Sequence, residues 1–265
     1  MTVPTDQTNP APKPWAIILA AGKGTRMRSD LPKVVHEVGG RAMVCAVVEA
    51  CLSAGCERVV AVVGYRKDRV GAALGDLPVD LAVQDEQLGT GHAVLCARRV
   101  LPPPEPGRPV FVLCGDGPLI RPKTLRTLLA RHRERGASAT LATAVVDDPS
   151  GYGRIVRDGA GRFRAIVEEK VATPDQRAIC EVNPSYYCFD AGRLFDALGR
   201  IDRDPVSGEY YLTDVPGLML EAGEPVEVVE AVAPQDVLSI NTPEDLAAVD
   251  RLYRSRAGAG SEAAR

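Results

Sequence analysis

Apolar positions along the first half of the chain alternate between two rhythms. "WAIILAA" (15–21) is an unbroken apolar run that stops at Gly22, as expected of a strand covered on both faces. "AMVCAVVEACLSAG" (42–55) spaces Met43, Val47, Ala50, Cys51 and Ala54 at helical intervals and stops at Gly55. "RVVAVVG" (58–64) reads as a second strand, followed by a short helix at about 67–74 and a strand "VDLAVQ" (79–84). A helix "TGHAVLCARRVL" (90–101), a buried strand "PVFVLCGD" (109–116), a helix at about 122–135 and a strand "ASATLATAVV" (137–146) come next. Strands and helices in this order predict an α/β fold with a mixed, mostly parallel sheet flanked by helices on both faces.

The pattern then changes. "GRIVRD", "RFRAIVEE" and "EVNPSYYCFD" are strand-like runs with few helices between them, so an antiparallel insertion covering one end of the sheet is expected. Helices at 191–199 and about 209–222, then a strand "PVEVVEAV" (225–232), restore the first rhythm. The last helix starts at "NTPEDLAAVDRLY", with Thr242 as N-cap, Pro243 at N1 and Asp245 at N3. Residues 1–14 are polar and proline-rich, and 254–265 small and polar, so both are expected to be flexible tails around one folded domain, 15–253.

Composition narrows the classes. The net charge of −3 disfavours a general nucleic-acid binder. The apolar runs are too short to span a bilayer and the lead-in lacks the basic start and apolar core of a signal peptide, so a cytoplasmic protein is expected. Seven cysteines occur without a CxxC spacing, and three histidines without an HExxH. The thiols therefore read as small buried hydrophobes rather than as disulfides or zinc ligands.

Against this balanced background, "LAAGKGTRMRSDLPK" (19–33) stands out. Four cations, Lys23, Arg26, Arg28 and Lys33, crowd a glycine-rich turn at the end of the first strand, against one acid, Asp30. Ligands of open parallel sheets bind beyond the carboxyl ends of the strands. Glycines at such a turn let backbone N–H groups approach an anion, and Arg26 and Lys33 can pair with phosphate oxygens. The turn is a phosphate cradle, but not a Walker A loop, and the dinucleotide pattern GxGxxG fails at Met27. Asp116, at the end of the buried strand "VFVLCG", is a candidate metal ligand. Asp147 and Asp148 read as the start of a turn, and Tyr210 and Tyr211 as packing at a helix start.

"LAAGKGTRMRSDLPKVVHEVGGRAM" resembles the signature of sugar-phosphate nucleotidyltransferases. "VQDEQLGTGHA", "CGDGPLI", "DDPSGYGRI", "IVEEK", "EVN", "GEYYLTD" and "IN" extend the likeness over residues 15 to 253. "EQLGTGHA" and "GYGRI" narrow it to the N-acetylglucosamine-1-phosphate uridylyltransferases, as in the N-terminal domain of a bifunctional bacterial enzyme. The resemblance implies a Rossmann-like nucleotidyltransferase fold with a sugar-binding insertion. It implies Mg²⁺-dependent in-line transfer of UMP from UTP to N-acetylglucosamine 1-phosphate, a step in cell-wall precursor synthesis.

By the same resemblance Arg26, Lys33 and Asp116 are catalytic, and Asp116 and Asn241 hold the metal. Leu19, Ala20, Ala21, Gly22, Lys33, Gln84, Gly89 and Thr90 bind the nucleotide, with Gln84, Gly89 and Thr90 at the uracil edge. Gly115, Gly153, Glu168, Asn183 and Asn241 hold the sugar. No nucleic acid or membrane partner is implied, and a monomer or weak homo-oligomer is expected. The chain departs from the family's usual aromatic at Cys114 and its usual Thr at Pro184. Nothing in it resembles the hexapeptide-repeat acetyltransferase domain of the bifunctional enzyme, so nucleotidyl transfer alone is expected. The alternatives are transfer to another sugar 1-phosphate or from another nucleotide, such as glucose 1-phosphate or dTTP, and a non-catalytic nucleotide-sugar-binding subunit.

Overall fold

The computed structural model describes residues 11–75 and 77–262. The elements follow in chain order as β1 (Trp15–Ala20), β2 (Glu37–Val38), β3 (Arg41–Ala42), α1 (Met43–Ser53), β4 (Arg58–Val63), α2 (Lys67–Leu74), β5 (Asp80–Val83) and α3 (Thr90–Ala97). Next are β6 (Pro109–Cys114), α4 (Pro122–Arg135), β7 (Ala139–Val145), β8 (Gly153–Arg157), β9 (Phe163–Val167), α5 (Pro174–Arg177), β10 (Glu181–Asn183) and β11 (Tyr186–Asp190). α6 (Ala191–Leu198), α7 (Val215–Glu221), β12 (Val226–Glu230) and α8 (Pro243–Glu262) complete the chain.

Among the described residues the strands other than β2 and β3 form one sheet in the order β5-β4-β1-β6-β11-β7-β10-β8-β9, with β12 on β7. The pairings run β1, β4, β5, β6, β7, β8 and β12 one way, and β9, β10 and β11 against them. The strand period of two sorts the core onto two faces. Ala16 and Ile18 of β1, with Phe111 and Leu113 of β6, pack on one side with residues of α1, α2, α4 and α8. Trp15, Ile17, Val110 and Val112 pack on the other, with α3, α6 and α7. Both faces are covered, which is why these strands are apolar at every position.

The antiparallel portion does not cap the sheet; it continues it. β7 pairs with β11 through Ala139–Leu141 and with β10 at Ala144 and Val145. β6 adds to β11, and β8 to β10. The sheet therefore forks at Pro184-Ser185, between β10 and β11, where Ser185 has φ +62°. The expected single run "EVNPSYYCFD" is two strands because Pro184 supplies no N–H and Ser185 turns the chain. The helix expected from residue 209 begins as a short 3-10 turn at Leu212–Asp214 and becomes α7 only at Val215.

Parts of both expected tails are described. Residues 1–10 and 263–265 lie outside the described residues. Residues 11–14 have no regular structure but are held, with Glu57 N–H donating to Pro14 O (2.9 Å) and Arg108 to Lys13 O (2.6 Å). α8 runs past Tyr253 to Glu262. Its start matches the sequence pattern. Asp245 N–H donates to Thr242 Oγ1 (3.1 Å) and Thr242 N–H to Asp245 Oδ2 (2.9 Å). Five cysteines are buried and all seven are free thiols; Cys114 is half-buried and Cys180 exposed. No helix among the described residues is long and apolar enough to cross a membrane.

Candidate active site

β1 lies between β4 and β6 and carries Leu19 and Ala20 to their shared carboxyl edge. Past the strand the backbone is tied both ways: Gly115 N–H donates to Leu19 O (2.9 Å) and Tyr65 N–H to Ala21 O (3.0 Å). Gly22 faces open space. Gly24 does not; it has φ +69°, and a Cβ there would lie 2.5 Å from Lys33 Cβ. Glycine at this position lets the lysine cross directly over the turn. Met27 is buried, with its N–H on Gly24 O (3.0 Å), and fixes the 3-10 turn Thr25–Met27 that leaves Arg26 exposed.

Four predicted residues meet here. Lys33 Nζ is bonded to Asp116 Oδ2 and donates to Asn241 Oδ1 (3.1 Å). Arg26 Nη2 donates to the same Asn241 oxygen (2.8 Å). The ends of β6 and of the segment before α8 are joined by Ile240 N–H donating to Asp116 O (3.1 Å). Asp116 and Asn241, 125 residues apart in sequence, thus direct two hard oxygens at one cation, here the lysine ammonium. That donor set fits Mg²⁺, which takes one or two ligands from protein and the rest from substrate and water. Among the described residues no cluster of three or more His, Cys, Asp or Glu side chains could hold a metal. Cys114, beside Asp116, is pushed up to about 12 by burial and by that carboxylate, so its thiol is neutral.

The residues expected at the base surround the start of α3. Gln84 is buried, and its Nε2 donates to Gly89 O (3.1 Å). Gly89 has φ +97°, and a Cβ there would lie 2.6 Å from Tyr210 O. Thr90 is partly committed, because its Oγ1 accepts the Leu212 N–H (3.0 Å). Of the residues expected at the sugar, Gly153 of β8 pairs with Asn183 of β10 at the fork. Asn183 Nδ2 donates to Tyr187 Oη (2.6 Å) and its Oδ1 accepts the Ser185 N–H (3.1 Å), leaving one donor and one acceptor for a ligand. Glu168 accepts from Thr213 Oγ1 (3.2 Å). Burial raises its pKa, the Thr213 bond opposes this, and Asp214 adds to it.

Sequence reasoning missed three contributors. His92 lies 3.0 Å from Gln84 Nε2. Tyr210 acts through its backbone, its N–H donating to Leu88 O (2.8 Å) and its carbonyl accepting from Gly91 N–H (2.8 Å). Arg154 is almost wholly buried and bonds Tyr152 O, Glu169 (2.6 Å) and Arg177 O (3.4 Å), tying β8 to the segment after β9. The "GTGHA" and "GYGRI" motifs contained the first and third, but no spacing marks a histidine or arginine as a brace.

Known proteins similar to this chain point to its family. The family described as MobA-like NTP transferase domain matches residues 16–209. The chain is 48% identical over 244 residues to the "Bifunctional protein GlmU" of Carboxydothermus hydrogenoformans, covering 92% of this chain and 54% of that protein. It is 46% identical over 244 residues to the protein of that name from Heliobacterium modesticaldum, covering 92% and 53%. The Geobacter metallireducens protein of the same name is 48% identical over 242 residues, covering 91% and 50%. The chain thus spans about half the length of the curated relatives it matches. With that match over most of its length, the chain belongs to the family of MobA-like NTP transferase domains.

Proposed function

We propose that this chain transfers a uridylyl group from UTP to N-acetylglucosamine 1-phosphate and releases pyrophosphate. One observation carries the reading: Arg26, Lys33, Asp116 and Asn241 converge at the mouth of the glycine turn. A phosphate oxygen of the sugar phosphate attacks the α-phosphorus of UTP, and the bond to the β-phosphate oxygen breaks as pyrophosphate leaves. The attacking oxygen is already ionised, so no protein base or nucleophile is needed, in keeping with the neutral thiol of Cys114. Asp116 and Asn241 would hold Mg²⁺, which when bound would neutralise charge on the phosphate oxygens. Lys33 and Arg26 bind the phosphates and stabilise charge that builds during transfer. The backbone of Leu19 to Gly22 lies against the nucleotide, with Gln84, Gly89 and Thr90 at the uracil. Gly115, Gly153, Glu168, Asn183 and Asn241 hold the sugar. We place the activity in the cytoplasm, in a monomer or weak homo-oligomer, with no nucleic-acid or membrane partner.

A non-catalytic binding subunit is the rival, and the retained set of two cations and two metal-directed oxygens argues against it. A coupled pyrophosphate-release assay over N-acetylglucosamine 1-phosphate, glucosamine 1-phosphate and glucose 1-phosphate with UTP tests the reading. The expected preference for the N-acetylated sugar is tenfold to a hundredfold in kcat/KM, about what one unpaired buried polar group costs. Equal values would discard the sugar assignment, and no release with any of them would discard the transferase reading.

A further inference from the structure

Gln84 cannot present its amide either way round. Gly89 O accepts hydrogen bonds and donates none, so the end of the amide facing it at 3.1 Å is the NH₂. The second hydrogen of Nε2 points at His92 Nδ1, 3.0 Å away. An amide nitrogen is a donor only, so Nδ1 is the unprotonated nitrogen and the ring proton sits on Nε2. That nitrogen faces Cys96 Sγ at 3.9 Å, one helical turn on along α3, and the sulfur can accept weakly. Both donors of Gln84 are thereby spent. Its Oε1 takes no hydrogen bond among the described residues and is not sealed from solvent.

We propose that His92 is a positioning residue for base selection: it fixes the Gln84 amide so that only Oε1 faces the nucleotide. The inference rests on the uridylyltransferase reading above. Uracil carries an N–H at ring position 3, which an oxygen accepts. Cytosine has a bare nitrogen there, which would meet Oε1 acceptor to acceptor. With one acceptor on Nε2 the amide can turn and offer its spare N–H to cytosine; with two it cannot.

The test compares kcat/KM for UTP and CTP in the wild-type chain, His92→Leu and His92→Asn. Leucine removes the acceptor, and asparagine keeps one near the position of Nδ1. His92→Leu is expected to lower the UTP-to-CTP ratio by about tenfold or more, the effect of one mismatched buried polar group. His92→Asn is expected to restore most of that ratio. A wild-type ratio in His92→Leu would overturn the proposal. Long-range ¹H–¹⁵N spectra of the unmutated chain give a second decision independent of either variant. A proton on Nε2 of His92 is expected, and a proton on Nδ1 would overturn the proposal. Absence of UTP turnover in the wild-type chain would instead remove the uridylyl reading, and with it the base contact, while the spectra still judge the hydrogen-bond chain.

Discussion

The two halves of the sheet build the proposed site by different means. In the parallel half, around β1, β4 and β6, the site is mostly backbone at strand ends, with exposed or half-exposed cations above it. In the antiparallel half, around β8, β9 and β10, it is made of side chains, and each is already bonded to another part of the chain: Asn183 to Tyr187 and Ser185, Glu168 to Thr213. The first half can lose a functional side chain without loosening its frame. The second cannot, because the groups that would face the sugar also hold the loops in place.

Arg154→Met is the strongest way to break the antiparallel half. It removes the partner of Glu169 and leaves the carbonyls of Tyr152 and Arg177 without their donor. A loss of about 3 kcal/mol or more is expected in urea denaturation. KM for the sugar phosphate should rise with it, while nucleotide binding stays within a few-fold. An unchanged unfolding midpoint would remove the distinction between the halves.

Asp116→Ala does the opposite in the parallel half. It should cost roughly 10²–10³ in kcat, about 2.7–4 kcal/mol of transition-state stabilisation, with thermal stability close to wild type. Arg26→Ala sharpens the point. Arg26 is exposed, so its loss should leave the unfolding curve in place while lowering kcat more than it raises KM. A variant whose KM alone rises would make Arg26 a uniform binder.

A smaller effect lies on β7, where the halves meet. His132 of α4 sits 3.1 Å from Thr140 Oγ1 of that strand. Burial, aided by Arg133 and opposed by Asp190, lowers its pKa from 6.5 to about 4. As pH falls the unfolded chain takes up this proton first. Stability is therefore complete above pH 6.5, declines from there to about 4, and is flat for this group below that. The loss is up to roughly 3 kcal/mol. His132→Leu should flatten that part of the pH–stability curve; an unaltered slope would assign it to the carboxylates.

The parallel half was also the legible one. A buried strand, its glycine turn and its cations are contiguous in sequence, so Leu19 to Lys33 could be read as one unit. The start of α8 was readable for the same reason, as Thr242 and Asp245 cap each other across three residues. The antiparallel half was readable only as strands. Its fork depends on β7 meeting two different partners, and its braces join residues far apart, as Thr213 joins Glu168. His92 and Tyr210 escaped because one acts through an amide on another strand and the other through its main chain. The four-residue α5 escaped although Thr173 and Gln176 form a capping box, because it buries no residue and leaves no apolar pattern.

The segment after Glu209 has a consequence for motion. Tyr210 is bonded to Leu88 and Gly91, Leu212 to Thr90, and Thr213 to Glu168. Three residues of fully extended chain reach about 10 Å. The segment is therefore a short strap between the mouth of α3 and the loop after β9. While these bonds hold, the two ends cannot part by more than that reach.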